Sequence, residues 1–419
     1  MLQLCFLENK VMDFSLSPLG QEYTSRINAF LADKILPAEA EYESEVRSMS
    51  RWTPESRWQS PSIMLKLREE AKAQGLWNLF LPQESSLNTQ EYATVAEIMG
   101  RSFMAAEVFN CNAPDTGNME VFAHYGNEAQ KKTWLTPLLA GEIHSAFCMT
   151  EPDVASSDAT NIEASAIIDG DNVILNGKKW WSTGVGHADC KVLLVMARTF
   201  EDGPRHQQHS IVVVPMNTPG VQVTRMLDVF GDQDAPLGHG EVVFENVCLK
   251  TSDFILGAGR GFEVAQGRLG PGRIHHCMRA IGAAERALEM LLARANEREA
   301  FGKPLYKLGG NVDVIANARI AIEQARLLTL KTAWLIDNHG IKKALSEVSQ
   351  IKVVVPNMLQ QIVDQAIQIF GAAGVCDDWA LASLYRYARV LRIADGPDEV
   401  HRQQITKYEI KKWQKRHSL

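Results

Sequence analysis

The stretch Cys148-Met149-Thr150-Glu151-Pro152-Asp153-Val154-Ala155-Ser156-Ser157-Asp158 divides the chain into a front part and a strand-rich middle. A short apolar run leads into it, and Pro152 then prevents a helix or a strand ladder from continuing. The small hydroxyl and acidic residues that follow suit a loop. Backbone amides and hydroxyls at such a strand end can bind a polar ring or a phosphate. An ordinary solvated loop explains the same residues equally well, so the rest of the chain must decide.

Hydrophobic periodicity separates three segments. Apolar residues at helical spacing predict helices within 16–45, 61–75, 89–106 and 115–138. From about residue 144 the pattern changes to short strands, with hairpin signals at 169–172 and at 176–177. Helical periodicity returns near residue 261 and continues to the end of the chain.

This order predicts a mixed α and β fold with three parts. The first is an N-terminal helical domain at 1–143. The second is a middle antiparallel β-barrel or sandwich at 144–258, because short, evenly punctuated strands are typical of such folds. The third is a C-terminal four-helix-type bundle at 259–419, built from long amphipathic helices.

Composition disfavours several classes of function. The formal net charge is -7 and no extended basic block is present before the last residues, which argues against a nucleic-acid partner. The longest aliphatic runs, such as 192–197, are too short to span a membrane. The seven cysteines contain no CxxC pair, which argues against a metal site and for reduced thiols. Residues 1–14 lack the pattern of a signal peptide, so we expect a cytoplasmic protein.

The domain order, together with two motifs, resembles the acyl-CoA dehydrogenase family over nearly the whole chain. The motifs are Met149-Thr150-Glu151-Pro152 at the junction and Asn176-Gly-Lys-Lys-Trp-Trp-Ser-Thr183 after it. The resemblance implies an FAD enzyme that oxidises an acyl-CoA to a 2-enoyl-CoA. It also implies that the electrons pass to an electron-transfer flavoprotein. An acyl-CoA oxidase, or a flavin enzyme of the same fold with a non-thioester substrate, is the alternative. A flavin-containing DNA-binding relative is disfavoured by the acidic balance.

The resemblance assigns flavin contacts to both motifs. At the junction these are Phe147, Met149 and Thr150, while Ser157 contacts the cofactor or the substrate. The chain has one residue more than the family pattern before Ser157, so Ser156 remains a second candidate for this contact.

In the second motif, Trp181, Ser182 and Thr183 are implied to bind the cofactor. The Trp packs beside the flavin ring, and the Thr hydroxyl approaches its reactive nitrogen. The alternative for Trp181 is an aromatic pair with Trp180 in the core, because strand aromatics are usually buried.

Two further motifs imply that each flavin is bound by two subunits. In Arg298-Glu-Ala-Phe301-Gly, Arg298 and Phe301 resemble residues that reach the flavin of a partner, and a planar guanidinium suits a pyrophosphate. In Gln368-Ile-Phe-Gly371-Ala372, three residues resemble an adenylate contact: Gln368, Gly371 and Ala372. A homodimer or homotetramer follows from the resemblance. A surface Arg and a plain glycine helix cap are the alternatives.

The stretch Ala394-Asp395-Gly396-Pro397-Asp398-Glu399 resembles the family's catalytic connection. Asp395 falls on the position of the base that removes the α-proton, and the family's other base position is occupied here by Gly272. Gly396 is implied to contact substrate, and Pro397 and Asp398 the cofactor. The alternative is a turn in which Asp398 caps the last helix, with Asp398 and Glu399 as substitute bases.

Arg273 resembles a residue near the entrance for CoA and the acyl chain. An Asp base is shorter than a Glu by one carbon–carbon bond, and a misplacement of about 1 Å can cost about a hundredfold in rate. We therefore expect the backbone around Asp395 to differ from that of family members with Glu.

Overall fold

A computed structural model describes residues 11–52 and 56–417 and confirms the helix–sheet–helix order. Residues 1–10, which include Cys5 and most of the segment used to predict that a signal peptide is absent, lie outside the described residues. Among the described residues, no helix combines the length and the apolar character needed to cross a membrane.

Local capping signals start the N-terminal helices. Ser17 accepts a hydrogen bond from the backbone amide of Gly20, and Pro18 opens the first helix. Asn88 and Glu91 form a capping box at the start of another. The helices are α1 (Pro18–Phe30), α2 (Leu36–Trp52), α3 (Ser62–Ala73), α4 (Pro82–Ser85), α5 (Thr89–Met99), α6 (Ala105–Val108), α7 (Asp115–Tyr125), α8 (Glu128–Gln130) and α9 (Thr136–Ala140).

The middle segment forms one mixed sheet instead of the predicted antiparallel barrel or sandwich. Its strands are β1 (His144–Cys148), β2 (Ser165–Asp169), β3 (Asn172–Thr183), β4 (Cys190–Arg198), β5 (His209–Pro215), β6 (Val221–Met226) and β7 (His239–Lys250). The strand order is β1-β4-β2-β3-β7-β6, with β5 on β4, and β1 runs parallel to β4. No closed barrel is formed within the described residues. The antiparallel prediction was therefore wrong for the pairing of β1 with β4 and of β2 with β4.

Only one of the two predicted hairpins is a turn. Asp169 pairs with Asn172, so β2 and β3 form the expected hairpin. Asn176-Gly177 lies inside β3, where the pairing with β7 shifts register between Leu175 and Gly177. Gly177 has φ 142°, and a Cβ there would lie 2.6 Å from the Cβ of Ala164. The glycine permits a bulge and a close contact, so the second hairpin prediction was wrong.

Long helices complete the chain, with α10 at the centre. They are α10 (Gly261–Glu297), α11 (Asn311–His339), α12 (Ile341–Phe370), α13 (Leu381–Leu391) and α14 (Asp398–His417), and the two-residue strands β8 (Glu299–Ala300) and β9 (Lys303–Pro304) lie between α10 and α11. Helix α10 packs on α12 and α11 and also on α5 and α7. A Cβ on Gly282 would lie 1.8 Å from the carbonyl oxygen of Glu97. This close crossing joins the front helices to the final bundle.

Candidate active site

Asp395 lies in the connection between α13 and α14, in a left-handed conformation with φ 55°. Its Oδ2 is 3.2 Å from Nε2 of His276 on α10. A Cβ on Gly272 would lie 3.8 Å from the same oxygen. The two base positions of the family resemblance therefore face each other, and only Asp395 carries a carboxylate.

The backbone of Asp395 is fixed by neighbouring helices. The Nε of Arg273 donates to the Asp395 carbonyl oxygen at 3.1 Å, and Nε2 of His401 lies 3.3 Å from the same oxygen. Gly396 has φ 102°, and a Cβ there would lie 3.0 Å from the His401 ring. The connection is therefore held from α10 and from α14. Arg273, which was predicted to lie at the substrate entrance, contacts the connection that contains Asp395.

The surroundings of Asp395 favour its ionised form. Burial acts to raise the pKa of this carboxyl, but His276, Arg268 and Lys352 act against it. The hydrogen bond from His276 and the nearby positive charges hold the pKa of Asp395 below its usual value. An ionised carboxylate at neutral pH is able to accept a proton.

The two substitute carboxylates are placed differently. Asp398 is 2% exposed, and its Oδ2 accepts from Arg392 at 3.0 Å and from Asn357 at 3.1 Å. Its Oδ1 has no hydrogen-bond partner in the described structure, so the predicted helix cap was wrong. Glu399 is exposed. Pro397, between Gly396 and Asp398, is half-buried.

A buried ion pair organises the strand exit after β1. The side chain of Lys179 is fully buried, and its Nζ lies 2.6 Å from Oε1 of Glu151. The Glu151 carboxylate also accepts from the backbone amides of Glu163 at 2.8 Å and Ala164 at 2.9 Å. Lys179 further donates to the carbonyl oxygen of Met149 at 3.0 Å. Lys179 was not predicted to be a site residue, although the alternation of side chains along β3 places it on the buried face of the strand.

The two candidate serines have different environments. The Ser156 hydroxyl accepts from the backbone amide of Glu151 at 2.9 Å and so closes the loop on itself. Ser157 is exposed, and its hydroxyl forms no hydrogen bond within the described part of the chain. Thr150 is also exposed, and its carbonyl accepts from the Trp180 amide at 3.0 Å. Ser157 and Thr150 therefore present free hydroxyls at this strand end.

The end of β3 presents an aromatic surface. Trp181 has φ 52° where the pairing with β7 shifts register, and its side chain is 41% exposed. Its ring centroid lies 6.3 Å from that of Trp180, so the two rings do contact each other, but Trp181 is not a core residue. Ser182, by contrast, is fully buried. The Thr183 hydroxyl lies 2.9 Å from Nδ1 of His239, a neighbour on β7 that sequence reasoning missed.

Comparisons with known proteins bear on this geometry. The family models of the acyl-CoA dehydrogenase N-terminal, middle and C-terminal domains match residues 20–142, 146–247 and 259–409. A Mycobacterium tuberculosis protein named "Probable acyl-CoA dehydrogenase FadE2" is 48% identical over 400 residues, which are 95% of this chain and 97% of that protein. The chain belongs to the acyl-CoA dehydrogenase family.

Other members of the family are similar over the same region. Acyl-CoA dehydrogenase family member 11 from Gallus gallus is 54% identical over 402 residues, which are 95% of this chain but 51% of that protein. The chain thus spans about half the length of this relative. A solved Mycobacterium abscessus structure, provisionally assigned as an acyl-CoA dehydrogenase, is 52% identical with a TM-score of 0.93 and covers 95% of this chain and 100% of its own.

Acyl-CoA dehydrogenases use FAD, and the residues at the strand exit fit a flavin. Trp181 offers a flat, exposed aromatic surface, and the free hydroxyls of Thr150 and Ser157 offer polar contacts for the edge of a ring. Phe147 lies in the same region of β1, and the guanidinium carbon of Arg268 is 4.1 Å from its ring centroid.

The third motif of the resemblance, Arg298-Glu-Ala-Phe301-Gly, forms an exposed hairpin between α10 and α11. Phe301 and Gly302 both have positive φ, 52° and 73°, as a type I′ turn requires. The Phe301 side chain is 96% exposed, and Arg298 beside it is also exposed. The ring at the tip of the hairpin is therefore accessible to another molecule.

The fourth motif of the resemblance, Gln368-Ile-Phe-Gly371-Ala372, is also accessible. Gly371 ends α12 with φ 64°, and it is exposed together with Gln368 and Ala372. The glycine ends the helix without side-chain bulk, so another molecule is able to approach the backbone closely.

Glu120 on α7 is a buried acid that the sequence did not single out. It is 7% exposed, and its Oε2 has no hydrogen-bond partner in the described structure. Burial raises the pKa of Glu120 to about 8, against the opposing charge of Arg268. Glu120 is therefore mostly protonated at neutral pH.

The raised pKa predicts that Glu120→Gln stabilises the protein at alkaline pH. Because the folded state retains a proton on Glu120, the wild type loses stability as the pH rises from about 4.5 to about 8. Gln cannot ionise, so the variant avoids a loss on the order of 1–3 kcal/mol. Thermal unfolding at pH 5 and pH 8 measures this. Exposed Glu128→Gln is the control, and equal pH dependence in wild type and Glu120→Gln contradicts the prediction.

Proposed function

We propose that this chain is an FAD-dependent dehydrogenase that converts an acyl-CoA thioester into a trans-2-enoyl-CoA. The observation that carries the proposal is the carboxylate of Asp395, which stands at the family's base position with its Oδ2 3.2 Å from Nε2 of His276. The lowered pKa of Asp395 supports the same role. Fixed main-chain contacts from Arg273 and His401 support a base with a defined orientation. The family relationship supports the same reaction.

Each of these residues has its own role in the proposed reaction. Asp395 takes the proton from the α-carbon of the thioester and becomes a neutral acid. When bound, FAD supplies the acceptor for the hydride that leaves the β-carbon. Trp181 and Thr150 hold the flat ring, Ser157 contacts the cofactor or the substrate, and Thr183 is oriented by His239. Gly396 and Arg273 border the substrate beside the base.

The proposal extends to an oligomer and to an electron acceptor. The exposed Arg298, Phe301 and Gln368 support a homodimer or homotetramer with FAD at the interface, where the exposed backbone of Gly371 and Ala372 allows close approach. We further propose an electron-transfer flavoprotein as the acceptor, from the family resemblance. Pro397 and Asp398 complete the proposed cofactor contacts through their backbone.

Two further expectations belong to the same proposal. The three parts 1–143, 144–258 and 259–419 act as the helical, sheet and bundle domains, which the element order supports. The described cysteines are all unpaired thiols, which supports a reducing compartment such as the cytoplasm.

Anaerobic bleaching of the bound flavin tests the proposal. We expect acyl-CoA thioesters to remove the yellow flavin absorbance within a panel of chain lengths, while the corresponding free acids do not. Oxygen consumption in the same preparation separates an oxidase from a dehydrogenase. A purified, FAD-loaded protein that no acyl-CoA bleaches contradicts the proposed reaction.

A further inference from the structure

We propose that His276 is a positioning residue for Asp395: it holds Oδ2 of the carboxylate and leaves Oδ1 free to take the substrate proton. This inference rests on the proposed function of Asp395 as base. The Nε2 of His276 lies 3.2 Å from Oδ2. Within the described residues, no hydrogen bond to Oδ1 is formed.

The contacts of His276 determine which nitrogen carries the proton. On the other side of the ring, Nδ1 lies 3.3 Å from Nη2 of Arg279. A guanidinium has donors and no acceptor, so Arg279 donates and Nδ1 accepts. Burial lowers the pKa of His276, which keeps the ring neutral with its one proton on Nε2. His276 therefore donates a hydrogen bond to Asp395.

The ring itself is held in place from two sides. His276 and Arg279 lie three residues apart on α10 and so share one face of the helix. The Nη1 of Arg279 donates to the carbonyl oxygen of Cys111, which belongs to the front helical part of the chain, at 3.3 Å. Arg279 is 7% exposed. The His276 ring is thus held by Arg279, which itself connects α10 to the front helical part of the chain.

A short base gains from such a donor. Asp395 has a left-handed backbone conformation, and Arg273 and His401 contact its carbonyl oxygen. The side chain therefore has little freedom to adjust. A single hydrogen bond to Oδ2 then sets the direction of Oδ1. Because a misplacement of about 1 Å costs about a hundredfold in rate, loss of the donor should be visible in the chemical step.

Other titratable groups face Asp395 from each helix packed against it. Arg268, Arg273 and Cys277 come from α10, Lys352 from α12 and His401 from α14. Burial lowers the pKa of His401 to about 4 and raises that of Cys277 to about 12, so neither titrates between pH 5 and 9. The arginines and Lys352 are common to all variants at position 276. A pH effect that differs between those variants therefore reports on the hydrogen bond to Asp395.

Two amide variants of His276 separate positioning from packing. In His276→Gln the amide nitrogen reaches the place of Nε2 and can donate to Asp395. In His276→Asn it reaches only the place of Nδ1. We expect the Gln variant to bleach at a rate within about threefold of wild type, and the Asn variant to be slower by about ten- to a hundredfold. We also expect KM for acyl-CoA to change little in either variant.

The pH dependence gives a second test of the same pair. Loss of the donor raises the pKa of Asp395, and the base must be ionised, so the acidic limb of the bleaching rate should move to higher pH in the Asn variant only. Equal rates and equal acidic limbs in the two variants overturn the inference. A wild type that no acyl-CoA bleaches overturns the proposed function instead.

Thermal unfolding tests the inference without any activity. The low pKa of Asp395 stabilises the fold above the ordinary carboxyl range, and this stabilisation is lost as the pH falls. The Gln variant should therefore unfold at a higher temperature than the Asn variant at pH 7, and the difference should shrink as the pH falls below about 4, the ordinary pKa of an Asp carboxyl. A difference that does not change with pH overturns the inference, even if wild-type bleaching supports the reaction.

Discussion

Asp395→Asn is expected to leave the flavin bound but to slow its bleaching by acyl-CoA by at least about a thousandfold, towards the upper part of the range for lost acid–base catalysis. The amide has the size of the carboxylate, and its oxygen can still accept from Nε2 of His276. What the variant loses is the ability to take the α-proton. The measurement is the anaerobic decay of flavin absorbance after mixing with saturating acyl-CoA.

Glu399→Gln is the matched control for this experiment. Glu399 is an exposed carboxylate four residues further along the chain, in the first turn of α14, and it is the exposed one of the two substitute bases. We expect its bleaching rate to equal that of wild type. Bleaching of Asp395→Asn at the wild-type rate would exclude Asp395 as the base, whereas loss of bleaching in Glu399→Gln alone would move that role to Glu399.

The sequence singled out Asp395 as the expected base but did not indicate its contact with His276. A motif places a residue in order along the chain, and the family pattern was enough to select the stretch 394–399. The hydrogen bond from His276 joins residues 119 positions apart, so neither local motif indicated it. His275 and His276 looked alike in sequence. Only the packing of α10 directs His276 towards Asp395, while His275 is buried against Tyr92.

The strand pairing in the sheet was also only partly predictable from the sequence. Alternation and turn residues located the strands, yet they could not reveal that β1 runs parallel to β4, because that pairing depends on where distant strands meet. The Asn176-Gly177 pair was misread for a related reason. The same dipeptide suits a hairpin and a bulge, and the neighbouring Ala164 decides between them.

The ion pair beneath the strand exit predicts a large effect on both stability and flavin binding. Lys179→Met should lower the free energy of unfolding by about 3–5 kcal/mol, because it leaves the Glu151 carboxylate buried without its cation. The same change removes the donor to the Met149 carbonyl, so the strand end that carries Thr150 loses its support. We therefore also expect weaker FAD binding. Denaturant unfolding and flavin retained after gel filtration measure the two effects.

Lys178→Met is the control, because it removes the same charge from the same strand one residue away. Lys178 is an exposed residue whose Nζ lies 3.7 Å from Oε1 of Glu241. Glu241 keeps its ion pair with Arg225 at 3.1 Å when Lys178 is replaced, so we expect a loss of only about 0–1 kcal/mol. Successive strand residues point to opposite faces, so the two lysines differ in burial and not in chemistry. If both variants retain flavin and stability equally, the buried pair does not hold the strand exit. If Lys179→Met alone loses both, the ion pair links the fold of the sheet to the cofactor site.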